Sequence, residues 1–229
     1  MDIREQYKKD VGIYAANMVQ SDTVIGLGTG STATYFVAAL AERLRAGTLR
    51  NIKGVPTSEK TAAQARAEGI AVTDLHTHPQ LAAAFDGADE IDPNLTLIKG
   101  LGGALLREKI VAASAEKFYV FGDSAKMVKT LGVVTPVPVE IVDFARPLCE
   151  RRLRALGAKP VLRVRDGKPQ ITDEGHVILD AFFDGISDPM ALDRAIKDIP
   201  GVVETGLFVG LTTAALVAGP DGVAVHPRS

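Results

Sequence analysis

The chain has 229 residues, 46% apolar and 24% charged, with a formal net charge of −2. That length admits one large domain or a large and a small one, and the composition is that of a globular chain rather than a disordered one. The interspersed, near-balanced charge offers no positive field to a polyanion, which disfavours a nucleic-acid role, and the single cysteine, Cys149, excludes an intrachain disulfide and a cysteine-rich zinc site.

The N-terminal MDIREQYKKD carries mixed charges unlike a signal or transit peptide. No apolar run approaches the roughly 20 residues of a membrane span. A soluble protein of a reducing cytoplasm is expected, with Cys149, beside Pro147 and Leu148, as a packed thiol without a chemical role.

Tyr7, Val11, Tyr14, Ala15 and Met18 recur at helical spacing and predict an amphipathic opening helix ending near Ser21. A short strand at 23–27 then meets the glycine turn Gly28, Thr29, Gly30, and Phe36, Leu40 and Leu44 predict the following helix. The alternation continues with a strand at 52–55, a helix at 58–68, a strand at 70–73 and an apolar run at 81–85, giving a parallel α/β unit. Asp92, Pro93 and Asn94 should turn the chain back into a strand at 95–98. A helix at 104–115 and a buried strand at 118–121 follow.

After Lys129 the pattern changes to a proline-punctuated, β-rich stretch at 133–142, a helix at 146–156, strands at 161–164 and 177–183, and a helix at 191–199. These predict a smaller inserted α+β domain at 131–205, with 1–130 and 206–229 forming the larger domain.

Three constellations could carry chemistry. Gly26 to Ala33 stands where a strand hands over to a helix; glycines there admit an oxyanion to backbone N–H groups, and the hydroxyls of Ser31 and Thr32 add donors, so phosphate is the natural guest. It matches neither the dinucleotide fingerprint nor a Walker loop. Spacing alone leaves open a plain tight turn with Ser31 capping the helix.

Asp86, Asp89 and Glu90 crowd the end of a strand, where α/β sheets gather ligands and where neighbouring carboxylates suit proton traffic. An acidic surface turn or a divalent-metal site fits the same pattern, although His76, His78, His176 and His226 show no spacing that would complete a metal set. Lys99, on the returning strand, is expected roughly opposite Gly87, bringing its ammonium beside Asp86. Gly102 and Gly103 then open a helix whose second turn should carry Glu108, although an acid near a helix start is also favoured by the dipole alone.

Taken together, GLGTGSTATYF at 26–36, DGADEID at 86–92, KGLGGALLREKI at 99–110 and FGDSAK at 121–126 closely resemble the A-type ribose-5-phosphate isomerases. The resemblance extends to the opening helix with Lys8 and to PGVVETGLFVGL at 200–211. It implies a Rossmann-like open sheet with helices on both faces and a ferredoxin-like inserted domain that contributes the contact of a homo-oligomer, dimer or tetramer. It also implies cofactor-free and metal-free interconversion of ribose 5-phosphate and ribulose 5-phosphate through an enediolate, in the non-oxidative pentose phosphate pathway. By resemblance, Glu108 is the general base, Asp86, Asp89 and Lys99 form the polar catalytic shell, and Lys8, Thr29, Gly30, Ser31, Thr32, Gly100, Leu101, Gly102 and Lys126 bind substrate.

The sequence departs from the family pattern at Leu101, which interrupts a frequent run of glycines, and at Thr205, where histidine is frequent. The chemistry agrees with the resemblance: moving a proton between adjacent carbons needs one carboxylate and no redox cofactor. The competing readings are a sugar-phosphate-binding regulator, which would ordinarily bring a DNA-binding domain, and a coenzyme A transferase or amino-sugar phosphate isomerase of similar architecture.

Overall fold

The structure, a computed structural model, describes residues 2–228. In chain order the elements are α1 (Ile3–Met18), β1 (Val24–Leu27), α2 (Ser31–Arg45), β2 (Lys53–Pro56), α3 (Glu59–Ala67), β3 (Ala71–Val72) and β4 (Ala83–Gly87). Next come β5 (Glu90–Ile91), β6 (Leu97–Ile98), α4 (Leu105–Ala113), β7 (Phe118–Asp123), β8 (Val137–Ile141) and α5 (Arg146–Ala155). The remainder is β9 (Lys159–Leu162), β10 (Val164–Arg165), β11 (Lys168–Pro169), β12 (Val177–Phe182), α6 (Pro189–Lys197), β13 (Val202–Thr205), β14 (Leu207–Phe208), β15 (Ala214–Gly219) and β16 (Gly222–Pro227).

Two compact units result. The first takes the chain up to Gly87, Arg107–Lys126 and the chain from Leu211 onward; the second takes Ala88–Leu106 and Met127–Gly210. The second unit therefore includes 88–106 in addition to the insertion, and its limits are not the expected 131 and 205.

The first unit is built on a seven-stranded sheet in the order β16-β15-β7-β4-β1-β2-β3. All neighbours pair parallel except the β15–β16 hairpin, which closes one edge. Strands buried on both faces need apolar or small residues throughout, which is why they read as short continuous runs such as VIGL and FYVFGD. On one face Ile25, Leu27, Phe85 and Phe121 pack with α1 and α2 residues Val11, Ala15, Phe36 and Leu40. Phe36 stacks on Phe85 with ring centroids 4.9 Å apart. On the opposite face α4 packs so closely that a Cβ on Gly26 would stand 2.4 Å from a methyl of Val111.

The second unit contains a β8-α5-β9-β12-α6-β13 succession whose four antiparallel strands lie in the order β13-β8-β12-β9, the split βαβ arrangement of the ferredoxin-like fold. Val137, Val139 and Ile141 alternate inward along β8 and meet Cys149, Leu153 and Ile196 of the two helices. A separate three-stranded sheet, β14-β6-β5, carries residues 90–98. Among the described residues no helix is long and apolar enough to cross a membrane.

Candidate active site

In the first unit the chain runs from β1 outward through β2 and β3, then resumes at β4 and proceeds through β7 and β15 in the other direction. The sheet therefore reverses between β1 and β4, and ligands of open α/β sheets gather outside the carboxyl ends of strands at such a reversal. The residues that follow β1 and end β4 are the glycine turn and Asp86.

Asp86 is buried, and its Oδ1 accepts from the N–H groups of Thr29 (3.0 Å) and Gly87 (2.7 Å). Gly28 makes room for it: a Cβ at 28 would lie 2.2 Å from that same oxygen, although the Gly28 backbone itself is not in the left-handed region. The oxyanion admitted by the first glycine of the turn is thus the protein's own carboxylate. The Thr29 hydroxyl turns away into a cluster with Thr57 (2.7 Å), Ser58 (2.8 Å) and Thr61 (3.2 Å), which laces the end of β1 to the start of α3. Both polar groups of Thr29 that could meet a substrate are engaged with the protein. The sequence gives no sign of this cluster beyond Ser58, which also caps α3 by accepting from Thr61 N–H.

Gly30, at φ 120°, is the N-cap of α2, and Ser31 is the first helical residue, not the cap. No side chain caps this helix, so its first N–H groups and the positive end of its dipole face outward beside the hydroxyls of Ser31, which is exposed, and Thr32. Lys8 pairs with Glu5 at 3.0 Å, and Glu5 also accepts from the Tyr35 hydroxyl at 2.6 Å. The tyrosine hydrogen bond, followed by Lys8, holds the Glu5 carboxyl below its ordinary range. Lys126 ends a short 3₁₀ turn started by Asp123, which accepts from Ala125 N–H, and its stem lies over Gly122.

Glu108 sits in the first turn of α4, a turn earlier than expected because the helix starts at Leu105. It is buried, as are Leu105 and Val111 at i−3 and i+3, so it belongs to the stripe of α4 that faces the sheet. Val111 covers Gly26; Glu108 stands three residues, about 4.5 Å, nearer the carboxyl edge, and Gly28, just past the end of β1, lies about 6.6 Å beyond Gly26 in the same direction. Gly26, Gly28, Ala84 and Asp86 share the sheet face that α4 covers, so Asp86 and Glu108 are brought to one face at one edge.

In the second unit β5 and β6 pair antiparallel with Glu90 opposite Ile98, and the Asp89 N–H donates to Ile98 O at 2.9 Å. Lys99 therefore lies opposite Asp89, not Gly87 as expected. The turn is longer than the sequence suggested: the Asp92 carboxylate accepts from the N–H groups of Asn94 and Thr96, and Leu95 adopts φ 59°. Lys99 is buried with its ammonium 5.4 Å from the centre of the Phe208 ring, a face that offers a cation partial compensation for lost water.

Asp89 Oδ2 accepts from Leu101 N–H at 3.0 Å. Leu101 keeps an ordinary negative φ, whereas Gly100 (φ 101°) and Gly103 (φ 89°) do not, so the backbone at 101 does not require a glycine. Glu90 is structural: it accepts from the N–H groups of Gly132 (2.8 Å) and Thr135 (3.0 Å). Thr205 is buried, its hydroxyl donating to Asp193 and accepting from Leu207 N–H, so it joins α6 to the β13–β14 corner. Sequence reading also missed Arg163 and Asp180, whose ion pair reaches the carbonyls of Gly100 and Leu101.

The family profile of Ribose 5-phosphate isomerase A (phosphoriboisomerase A) matches residues 53–222. The chain is 56% identical over 218 residues to the ribose-5-phosphate isomerase A of Roseiflexus castenholzii (strain DSM 13941 / HLO8), an alignment covering 95% of this chain and 93% of the relative. Among solved structures, it resembles a D-ribose-5-phosphate isomerase in complex with phospho-erythronic acid, with a TM-score of 0.95 and 40% identity over 98% of this chain and 99% of the other. The ribose 5-phosphate isomerase A of Methanocaldococcus jannaschii gives a TM-score of 0.94 and 39% identity, covering 98% and 100% of the two chains. With a profile match over well more than half its length and majority identity to a relative of equal extent, the chain belongs to the ribose 5-phosphate isomerase A family.

Proposed function

We propose that the chain interconverts D-ribose 5-phosphate and D-ribulose 5-phosphate through an enediolate, with Glu108 as the base that moves the proton between C2 and C1. The observation that carries this reading is the burial of Glu108 on the sheet-facing stripe of α4, at the same edge and face as Asp86. A carboxylate there can take the C2 proton of the open-chain aldose and return it to C1, and no hydride acceptor is involved.

A base supplies roughly 10²–10⁴ of rate, while enzymatic accelerations begin near 10⁶, so the developing oxyanion needs a donor. Lys99 is assigned that work. Asp86 and Asp89 move hydroxyl protons during ring opening and between O1 and O2. The start of α2, Gly30, Ser31 and Thr32, receives the phosphate together with Lys8 and Lys126, an assignment supported by the uncapped helix dipole. Gly100, Leu101 and Gly102 line the sugar. Thr29 contributes by holding Asp86, since its N–H and hydroxyl are already engaged.

One relative is in complex with phospho-erythronic acid, whose terminal carboxylate presents two oxygens on one carbon as an enediolate presents two on adjacent carbons. The same compound is expected to compete with ribose 5-phosphate here. Incubating the purified chain with ribose 5-phosphate and a chelator tests the reading: ketose formation unaffected by the chelator is expected, and none would refute it.

The protein is further inferred to work in the cytoplasm as a homo-oligomer, dimer or tetramer, through its second unit. That unit exposes Phe144 (97%) and Val134 (82%), apolar side chains that water disfavours.

A further inference from the structure

We propose that Arg163 is a positioning residue for the reaction: its guanidinium fixes the peptide between Gly100 and Leu101 so that the N–H of this peptide holds Asp89 in its working orientation. The inference rests on the role given to Asp89 above, and every group in it belongs to the second unit.

Arg163 follows β9, and its backbone is tied on both sides, its N–H donating to Ile178 O (2.9 Å) and its carbonyl accepting from Gln170 N–H (3.0 Å). The side chain is nearly buried. Its Nε donates to Asp180 Oδ2 at 2.9 Å and one Nη to Asp180 Oδ1, a two-pronged pair that orients the plane of the guanidinium. The other Nη then reaches Gly100 O at 2.7 Å and Leu101 O at 3.2 Å. A trans peptide is planar, with its C=O and N–H pointing opposite ways. Fixing Gly100 O toward Arg163 therefore aims Leu101 N–H in the opposite direction, where Asp89 Oδ2 accepts it at 3.0 Å. A cation on the carbonyl and an anion on the N–H of one peptide strengthen each other's hydrogen bonds. By the same geometry, the contact to Leu101 O turns the N–H of exposed Gly102 away from Arg163.

The fold does not demand this arrangement. A buried ion pair is often replaceable by apolar packing without loss, and carbonyls next to exposed residues such as Leu101 and Gly102 can be served by water. What water cannot do is hold two successive carbonyls to one side. Lysine cannot do it either, since a point charge lacks the fork that spans a carboxylate and two carbonyls.

The test compares Arg163→Ala, Arg163→Lys, Asp89→Asn and the Arg163→Ala/Asp89→Asn pair for kcat and KM with ribose 5-phosphate, with thermal melting as a check on folding. Arg163→Ala is expected to lower kcat roughly 10–100-fold with little change in KM, as misplacement of a catalytic group does. Millimolar methylguanidine should restore part of the loss, and the double variant should be no slower than Asp89→Asn. An unchanged kcat in Arg163→Ala, or losses that multiply in the double variant, would overturn the proposal. Should Arg163→Ala fail to fold, Arg163→Lys carries the test, with a fall in kcat expected and an unchanged kcat overturning it. An Asp89→Asn variant with full kcat would instead refute the role given to Asp89, whatever Arg163 does.

Discussion

Asp86 owes its position to a missing side chain. Any Cβ at Gly28 would meet Asp86 Oδ1, Cγ and Cα at 2.2, 2.4 and 2.6 Å, and the last cannot move without shifting β4. Gly28→Ala is therefore expected to cost about 1–3 kcal/mol of stability, the usual range for overpacking a closed site, and most of the activity. Gly102, with an ordinary φ and nothing within 4 Å of a built Cβ, provides the contrast. Gly102→Ala should change stability by no more than about 0.5 kcal/mol, as for other exposed sites; urea melts of both variants check the pair. Lys99 is buried beside Phe208. Lys99→Ala is expected to lose about 10²–10³ in kcat, the scale of one lost oxyanion donor, and a change confined to KM would contradict its role. Burial pushes the Cys149 thiol above its ordinary range, which leaves less thiolate at any given pH. Iodoacetamide should label it far more slowly in the native protein than in urea.

At the scale of elements, α4 carries Glu108 and the β5–β6 hairpin sets the register of Lys99, and the two differ in how plainly the sequence announces them. In α4 the burial of Leu105, Val111 and Ala112 marks the inner face, and a buried Glu108 among them is an exception that points to function, whereas in the sequence an acid near a helix start is also what the dipole alone favours. The hairpin is less legible. Its register depends on Asp92 gathering the N–H groups of Asn94 and Thr96, which lengthens the turn and sets Lys99 opposite Asp89 rather than Gly87. An aspartate in a turn can also serve a shorter turn, and nothing local distinguishes the two. Asp92 is buried, and Asp92→Ala leaves two N–H groups without their acceptor; a loss of about 1–3 kcal/mol is expected in thermal unfolding.

At the scale of the whole molecule, the alternation of strands and helices is enough to predict a parallel sheet with the glycine turn and Asp86 at strand ends, while the strand order of the folded sheet is what puts both at its reversal. The smaller unit is legible in part: its two helices and three of the strands of its four-stranded sheet carry their own period, whereas β13 is not among the expected strands and the split βαβ order comes only with the family resemblance. What the sequence hides is contact at long range. Gly100 and Arg163 are 63 positions apart, and the intervening residues carry no pattern that joins them. The same holds for the cluster around Thr29, whose partners follow the next strand. If the second unit provides the oligomer contact, Phe144→Ser should lower the mass seen by light scattering, while an unchanged mass would exclude Phe144 from it. The central claim, a single carboxylate moving one proton, is tested most directly with ribose 5-phosphate deuterated at C2, in water, with the native protein and Glu108→Gln. The native protein is expected to wash the label out, and the variant to retain it while still binding phospho-erythronic acid; undiminished loss of label in the variant would remove Glu108 as the base.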